Sequence, residues 1–184
     1  MAKIIVTEFI TLDGVIHAPN EWSFPYWNDE IADFKNKEIK DVGAMLLGRV
    51  TYEGFAAAWP GRTDEAGYAD KFNSMPKYVV STTMEKADWN NSKIINENIF
   101  DEIRKLKKES KDDIIIFGSG KLIKSLIKND LIDQYQLLVY PLVIGKGNRL
   151  FDEESNAKLK LLESKQYTTG VVLLKYETLG ESSK

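Results

Sequence analysis

The strand-like run Ile114-Ile115-Ile116-Phe117 passes through Gly118-Ser119-Gly120 into the helix-like segment Lys121 to Lys128. Such a turn suits a phosphate. Glycine lets the backbone approach a ligand closely, and the first amides of the following helix point outward unpaired at the positive end of its dipole. Leu122, Ile123, Leu126 and Ile127 share one face of that helix, with lysines elsewhere. The turn is not a Walker A loop, because Ile115 and Leu122 stand where that motif needs a glycine and a Ser or Thr. Nor is it a dinucleotide fingerprint, because Ile123 stands at the third glycine. A plain strand-to-helix connection, with glycines only for tight packing, is the alternative.

The segment Ala44 to Phe55 repeats the grammar: Ala44-Met45-Leu46-Leu47, then Gly48, then the helix-opening Arg49-Val50-Thr51-Tyr52. Arg49 at a helix N-terminus can hold a phosphate through two parallel hydrogen bonds, or it is a solvated surface cation. The Thr51 hydroxyl can cap the helix or meet a phosphate oxygen. Two such junctions favour an extended ligand with several phosphates.

The elements that must position these residues alternate. A first strand spans Lys3 to Leu12 and ends at Asp13-Gly14. A loop follows with Trp22, Phe24, Tyr26 and Trp27, and then a helix with Ile31, Phe34, Ile39 and Val42 on one face. After the Arg49 helix comes an irregular stretch, Trp59 to Asp64, that leads by way of Tyr68 and Phe72 to Pro76, then a strand over Lys77 to Ser81, a short strand at Ile94-Ile95 and a helix through Ile99, Phe100, Ile103 and Leu106. This alternation predicts a mainly parallel sheet covered on both faces. Beyond it, the pattern predicts a long strand from Tyr135 to Ile144 containing Pro141, and two further strands at Leu159 to Leu162 and Val171 to Tyr176, paired antiparallel at the sheet edge.

The chain has 184 residues, 43% hydrophobic and 29% charged, which suits one domain over residues 1–180 and a frayed tail over 181–184. A net charge of -3 argues against a nucleic-acid surface. The N-terminus meets Glu8 too soon for a signal-peptide core and no apolar run reaches membrane-spanning length, so a cytoplasmic protein with no membrane partner is expected. With no cysteine and His17 as the one histidine, there is no disulfide, thiolate nucleophile or multi-histidine zinc site. Ser23 lacks the Gly-x-Ser-x-Gly setting of a hydrolase, and His17 reads as a loop or pocket-wall residue. Asp152-Glu153-Glu154 reads as a solvated turn, so no metal is assigned.

Taken in order, Thr11-Leu12-Asp13-Gly14, Leu47 to Glu53, Val79 to Thr83, Ile116 to Gly120 and Pro141 to Gly147 resemble the dihydrofolate reductase-like superfamily. Within it, the chain is similar to stand-alone relatives of the C-terminal reductase domain of bacterial riboflavin biosynthesis enzymes. The resemblance implies an α/β three-layer fold with NADPH across the C-terminal ends of the strands. It assigns Arg49 and Thr51 to the adenosine phosphates, Ser81 and Thr82 to the adenine ribose, Gly118, Ser119 and Gly120 to the pyrophosphate, and Ile16 to the nicotinamide. Alignment to the carboxylate that serves the pterin in dihydrofolate reductases points to Glu30, with Asp29 and Asp33 as alternatives. Trp22 and Trp27, with Phe24 and Tyr26, could stack on a flat heterocycle or pin their loop to the core. Lys146 and Arg149 are the nearest cations for a substrate phosphate.

The expected activity is therefore NADPH-dependent hydride transfer to a flat nitrogen-containing small molecule. The other reading is a nucleotide-binding or sensing protein that keeps the cofactor cleft without turnover. A homodimer is also expected, both from the resemblance and from the apolar strand and antiparallel tail, which would leave sheet surface needing cover.

Overall fold

A computed structural model describes residues 1–180. Its strands are β1 (Ile4–Thr11), β2 (Val42–Gly48), β3 (Lys77–Val80), β4 (Ser92–Ile95), β5 (Asp113–Phe117), β6 (Gln134–Tyr140), β7 (Lys158–Gln166) and β8 (Val172–Leu179). They form one sheet in the order β4-β3-β2-β5-β1-β6-β8-β7. The first six positions are parallel, and β8 pairs antiparallel with both β6 and the edge strand β7. The helices are α1 (Pro19–Trp22), α2 (Asp29–Lys40), α3 (Arg49–Ala58), α4 (Tyr68–Ser74), α5 (Ile99–Glu109) and α6 (Gly120–Ile127).

The sheet is the middle of three layers because its central strands are apolar on both faces. Ile4, Val6, Leu46, Ile114 and Ile116 point one way and pack with Ile103 of α5 and with Leu122, Ile123 and Leu126 of α6. Ile5, Met45, Leu47, Ile115 and Phe117 point the other way and pack with Ile39 of α2, Tyr52 of α3 and Phe72 of α4. Period-two alternation sends neighbours to opposite layers, and burial on both sides turns Ile114-Ile115-Ile116 into an unbroken apolar run. A third cluster joins Ile31 and Phe34 of α2 to Leu138, Tyr140 and Leu173.

Several elements differ from the sequence expectations, and Val42, expected on the face of α2, instead opens β2 because α2 ends at Lys40. Strand β6 ends at Tyr140, so Pro141 and Leu142 to Ile144 lie in the following loop; proline has no amide to give a ladder. Within the stretch from Trp59 to Pro76, Tyr68–Ser74 is helical, and the Asp64 carboxylate accepts from the amides of Tyr68 and Ala69 at its start. The last two strands are longer than their apolar residues suggest, because β7 is an edge strand whose polar side chains face water. Residues 181–184, read as a frayed tail, lie outside the described residues.

Candidate functional site

Strand β5 is shorter than its neighbour β1. Their pairing runs from Ile4 with Ile114 to Thr7 with Phe117, where β5 ends and the chain turns away at Gly118. A cleft of about 1400 Å³ opens there, at the C-terminal ends of the strands. This is the usual position for a ligand on an open α/β sheet. The volume exceeds the 300–1,000 Å³ typical of single small-molecule pockets, leaving room for a long ligand together with a second molecule.

Both strand-glycine-helix junctions meet in this cleft. Ser119 adopts a left-handed conformation (φ 69°) at the N-terminus of α6, which turns its hydroxyl back toward β2. There it accepts from the Gly48 amide at 2.7 Å and donates to Thr51 Oγ1 at 2.9 Å. Gly118 (φ 59°) leaves no room for a side chain, since a Cβ would lie 3.0 Å from Thr51 Oγ1. Neither α3 nor α6 has a side-chain cap on its first turn. Two helix N-termini with open amides therefore line one cavity, an arrangement suited to more than one phosphate. Arg49 lies at the first of them with its side chain half exposed, and among the described residues its one ionic partner is Glu53 at 3.5 Å.

Ile16, Arg49, Thr51, Ser81, Thr82, Gly118, Ser119 and Gly120 all line the cleft. Three of their hydroxyls are already engaged by the protein: those of Thr51 and Ser119 with each other, and that of Ser81 with the amides of Thr83 and Met84. Thr51 does not cap its own helix. The groups left to face a ligand are the helix amides, the Arg49 guanidinium, the exposed Thr82 and the apolar Ile16.

The acidic candidates do not reach the cavity. Asp29 and Asp33 are exposed and Glu30 half-buried, and none lines the cleft. Glu30 Oε2 accepts from the Thr168 amide (2.8 Å) and hydroxyl (2.6 Å), which ties the start of α2 to the β7–β8 turn. These Thr168 bonds hold the Glu30 carboxyl below the usual glutamate range. Trp22 likewise does not line the cleft: its indole donates to the His17 carbonyl, and its ring meets Tyr140 edge-on at 5.2 Å. Trp27 does line the cleft, 45% exposed and tilted against Phe9 at 6.3 Å. Arg149 lines it too, tied to the Asp13 carbonyl and carboxylate, whereas Lys146 does not.

A different carboxyl occupies the floor. Glu8, on β1, is the first residue past the pairing with β5; it is 6% exposed and lines the cleft. Its Oε1 has no hydrogen-bond partner among the described residues, a desolvation cost of roughly 1–3 kcal/mol. Burial pushes its pKa up to about 8, and the nearby Glu38 adds to the rise, while the Lys35 ammonium and the Gly118 amide oppose it. Lys35 is itself buried against Phe9 and Phe117, ion-paired with Glu38. Sequence patterns did offer a signal for both: a lone acid inside the apolar run Ile4 to Ile10, and a lysine on the apolar face of α2 beside Phe34.

Among the described residues no helix is long and apolar enough to cross a membrane, and no group of three acids or histidines could hold a metal ion. Comparison with known proteins gives the following likenesses. An uncharacterised Bacillus subtilis (strain 168) protein, YyaP, is 31% identical over 97% of this chain and 96% of its own length. A Shewanella sp. PV-4 crystal structure, of a protein provisionally assigned to riboflavin biosynthesis, is 23% identical with a TM-score of 0.78 over 97% of this chain and 99% of that one. The Thermotoga maritima diaminohydroxyphosphoribosylaminopyrimidine deaminase/5-amino-6-(5-phosphoribosylamino)uracil reductase has the same fold, with a TM-score of 0.69 at 14% identity over 97% of this chain. This chain spans 57% of that bifunctional protein. The model of the RibD C-terminal domain matches residues 2–173, and the chain belongs to that family.

Proposed function

We propose that this protein is an NADPH-dependent reductase that delivers a hydride to a flat, nitrogen-containing heterocycle. The observation that supports this most strongly is the pair of uncapped helix N-termini, α3 and α6, joined through Ser119 and opening with Arg49 into one cleft. NADPH carries phosphates at two separate places, and these two junctions match that need. The cofactor, when bound, supplies the hydride. Gly118 and Gly120 let the backbone come close to the pyrophosphate, and the α6 amides offer it hydrogen bonds. Arg49 faces the phosphate on the adenine ribose, beside the polar strand end at Ser81 and Thr82. Ile16 gives the nicotinamide an apolar wall, and Phe9 with Trp27 offers an aromatic surface to the acceptor. Family membership supports the same activity, since the Thermotoga relative is named a reductase of a phosphoribosylaminouracil.

Calorimetric titration with NADPH, followed by NADPH consumption with dihydrofolate, pyrimidinones, cyclic imines, quinones and flavins, tests the proposal. Binding plus turnover of one acceptor is expected. Tight binding with no turnover would favour a sensing role, and no binding would end the reductase reading.

A further inference from the structure

We propose that Glu8 is the group that protonates the nitrogen of a C=N bond as the acceptor is reduced. This assignment rests on the reductase function proposed above and adds a residue and a bond type to it. Glu8 is buried in the floor of the cleft where β5 gives out, and its Oε1 lacks a partner among the described residues. A buried carboxyl left open toward a cavity is a group whose missing hydrogen bond a ligand can complete.

The surroundings determine which form of the carboxyl meets the ligand. Across β6 its neighbour is the apolar Leu137, and the turn after β5 contributes the Gly118 amide. From α2 come Lys35 and, paired to it, Glu38, so the nearest positive charge is already matched. Arg49, Asp64, Lys121, Lys124, Arg149 and His17 also line the cleft, and none of them is among the causes of the Glu8 shift. Burial outweighs the Lys35 charge and the Gly118 hydrogen bond and raises Glu8 to about 8, so the carboxyl carries its proton at neutral pH. It then presents an O–H donor and a free acceptor oxygen side by side. That pattern favours an uncharged ring edge and disfavours an anionic one.

The chemistry balances with one reduced nicotinamide cofactor and one proton per bond. The carbon of the C=N bond receives the hydride and the cofactor is oxidised. The π pair of that bond moves onto nitrogen, the Glu8 O–H bond breaks and an N–H bond forms. The carboxylate then regains its proton from water entering the cleft.

The test uses the full chain as wild type, Glu8→Gln and Glu38→Gln. The carbonyl stretch of a protonated carboxylic acid, followed by infrared spectroscopy from pH 5 to pH 10, is expected to disappear near pH 8 in wild type and to be missing from Glu8→Gln. Glu38→Gln removes a charge that raises Glu8, so the same transition is expected at lower pH. Glu8→Gln is expected to bind NADPH within about twofold of wild type and to lose roughly 100- to 10,000-fold in turnover of a cyclic imine or dihydrofolate. Wild-type turnover in Glu8→Gln, a carboxyl band lost below pH 6, loss of NADPH binding in the variant, or a wild type that reduces no C=N acceptor would each overturn the assignment. A wild type that does not bind NADPH would instead overturn the reductase function on which it rests.

Discussion

Ser119 donates its hydroxyl proton to Thr51 at 2.9 Å, joining the turn after β5 to the helix after β2 across 68 positions of chain. The same oxygen accepts from the Gly48 amide, so one serine sets the spacing of two helix N-termini. Ser119→Ala should destabilise the fold by about 1–3 kcal/mol through two lost hydrogen bonds. It should also weaken NADPH binding, because the two open helix ends would no longer be held in register. Urea denaturation and calorimetry on the same preparation measure both effects.

The two turn glycines should behave differently. Gly118 combines φ 59° with a Cβ position 3.0 Å from Thr51 Oγ1, so Gly118→Ala should cost about 1–3 kcal/mol. Gly120 has no positive φ, and its Cβ would meet only the flexible tip of Ile16 at 3.2 Å. Gly120→Ala should therefore leave the melting temperature close to wild type and lower NADPH affinity. Equal affinity for both proteins would remove Gly120 from the pyrophosphate cradle.

Among the described residues Arg49 has one weak tether, Glu53 at 3.5 Å, which leaves the guanidinium available to a ligand. Arg49→Ala should reduce NADPH affinity by about ten- to a hundredfold, which corresponds to roughly 1.5–3 kcal/mol, and leave NADH nearly unchanged. Calorimetry with both cofactors distinguishes a ribose-phosphate contact from a pyrophosphate contact, because the second would weaken both equally.

Glu8 also links stability to pH. Its folded pKa of about 8 lies above the ordinary glutamate value of 4.5, so between those values the folded chain binds the proton more tightly than the unfolded chain. Stability should fall as pH rises from 5 to 8, by up to roughly 1.4 kcal/mol per pH unit from this group alone. Melting curves of wild type should show this slope, and those of Glu8→Gln should be flatter.

The homodimer expectation now attaches to a different strand. Strand β6 is interior, between β1 and β8, whereas β7 is one of the two edge strands, with Leu161 50% and Leu162 45% exposed. Light scattering at micromolar concentration should report twice the 21.0 kDa chain mass, and Leu161→Lys combined with Leu162→Lys should return a monomer. A wild-type monomer would end the dimer proposal.

How much was legible in the sequence follows from how local each signal is. The β2–α3 and β5–α6 junctions stand out because strand, glycine and apolar helix face are contiguous. Their union through Ser119 was not legible, because it depends on a left-handed serine meeting residues far away in the chain. Glu30 looks like an acid free for chemistry until Thr168, 138 positions later, occupies it. Glu8 stands out as a lone acid in an apolar run, yet its place in the cleft was hidden for a related reason: only knowing where β5 stops shows that Glu8 follows the last β1 residue paired with it. Tyr68 and Phe72 have helical spacing, yet the seven-residue helix they define is too short to announce itself amid glycine and aspartate.

The strand order also bears on how the chain assembles during synthesis. Strand β1 is made first but is flanked by β5 and β6, whose earliest residues are Asp113 and Gln134. Until the ribosome has produced them, Ile4, Ile5 and Val6 have no sheet partner on either side. An emerging N-terminal half therefore has no finished core to retain, and closure waits for contacts between the two ends of the polypeptide. A chain cut before Ile114 would leave the apolar start of β1, Ile4 to Val6, bare along both edges, open to pairing with other chains.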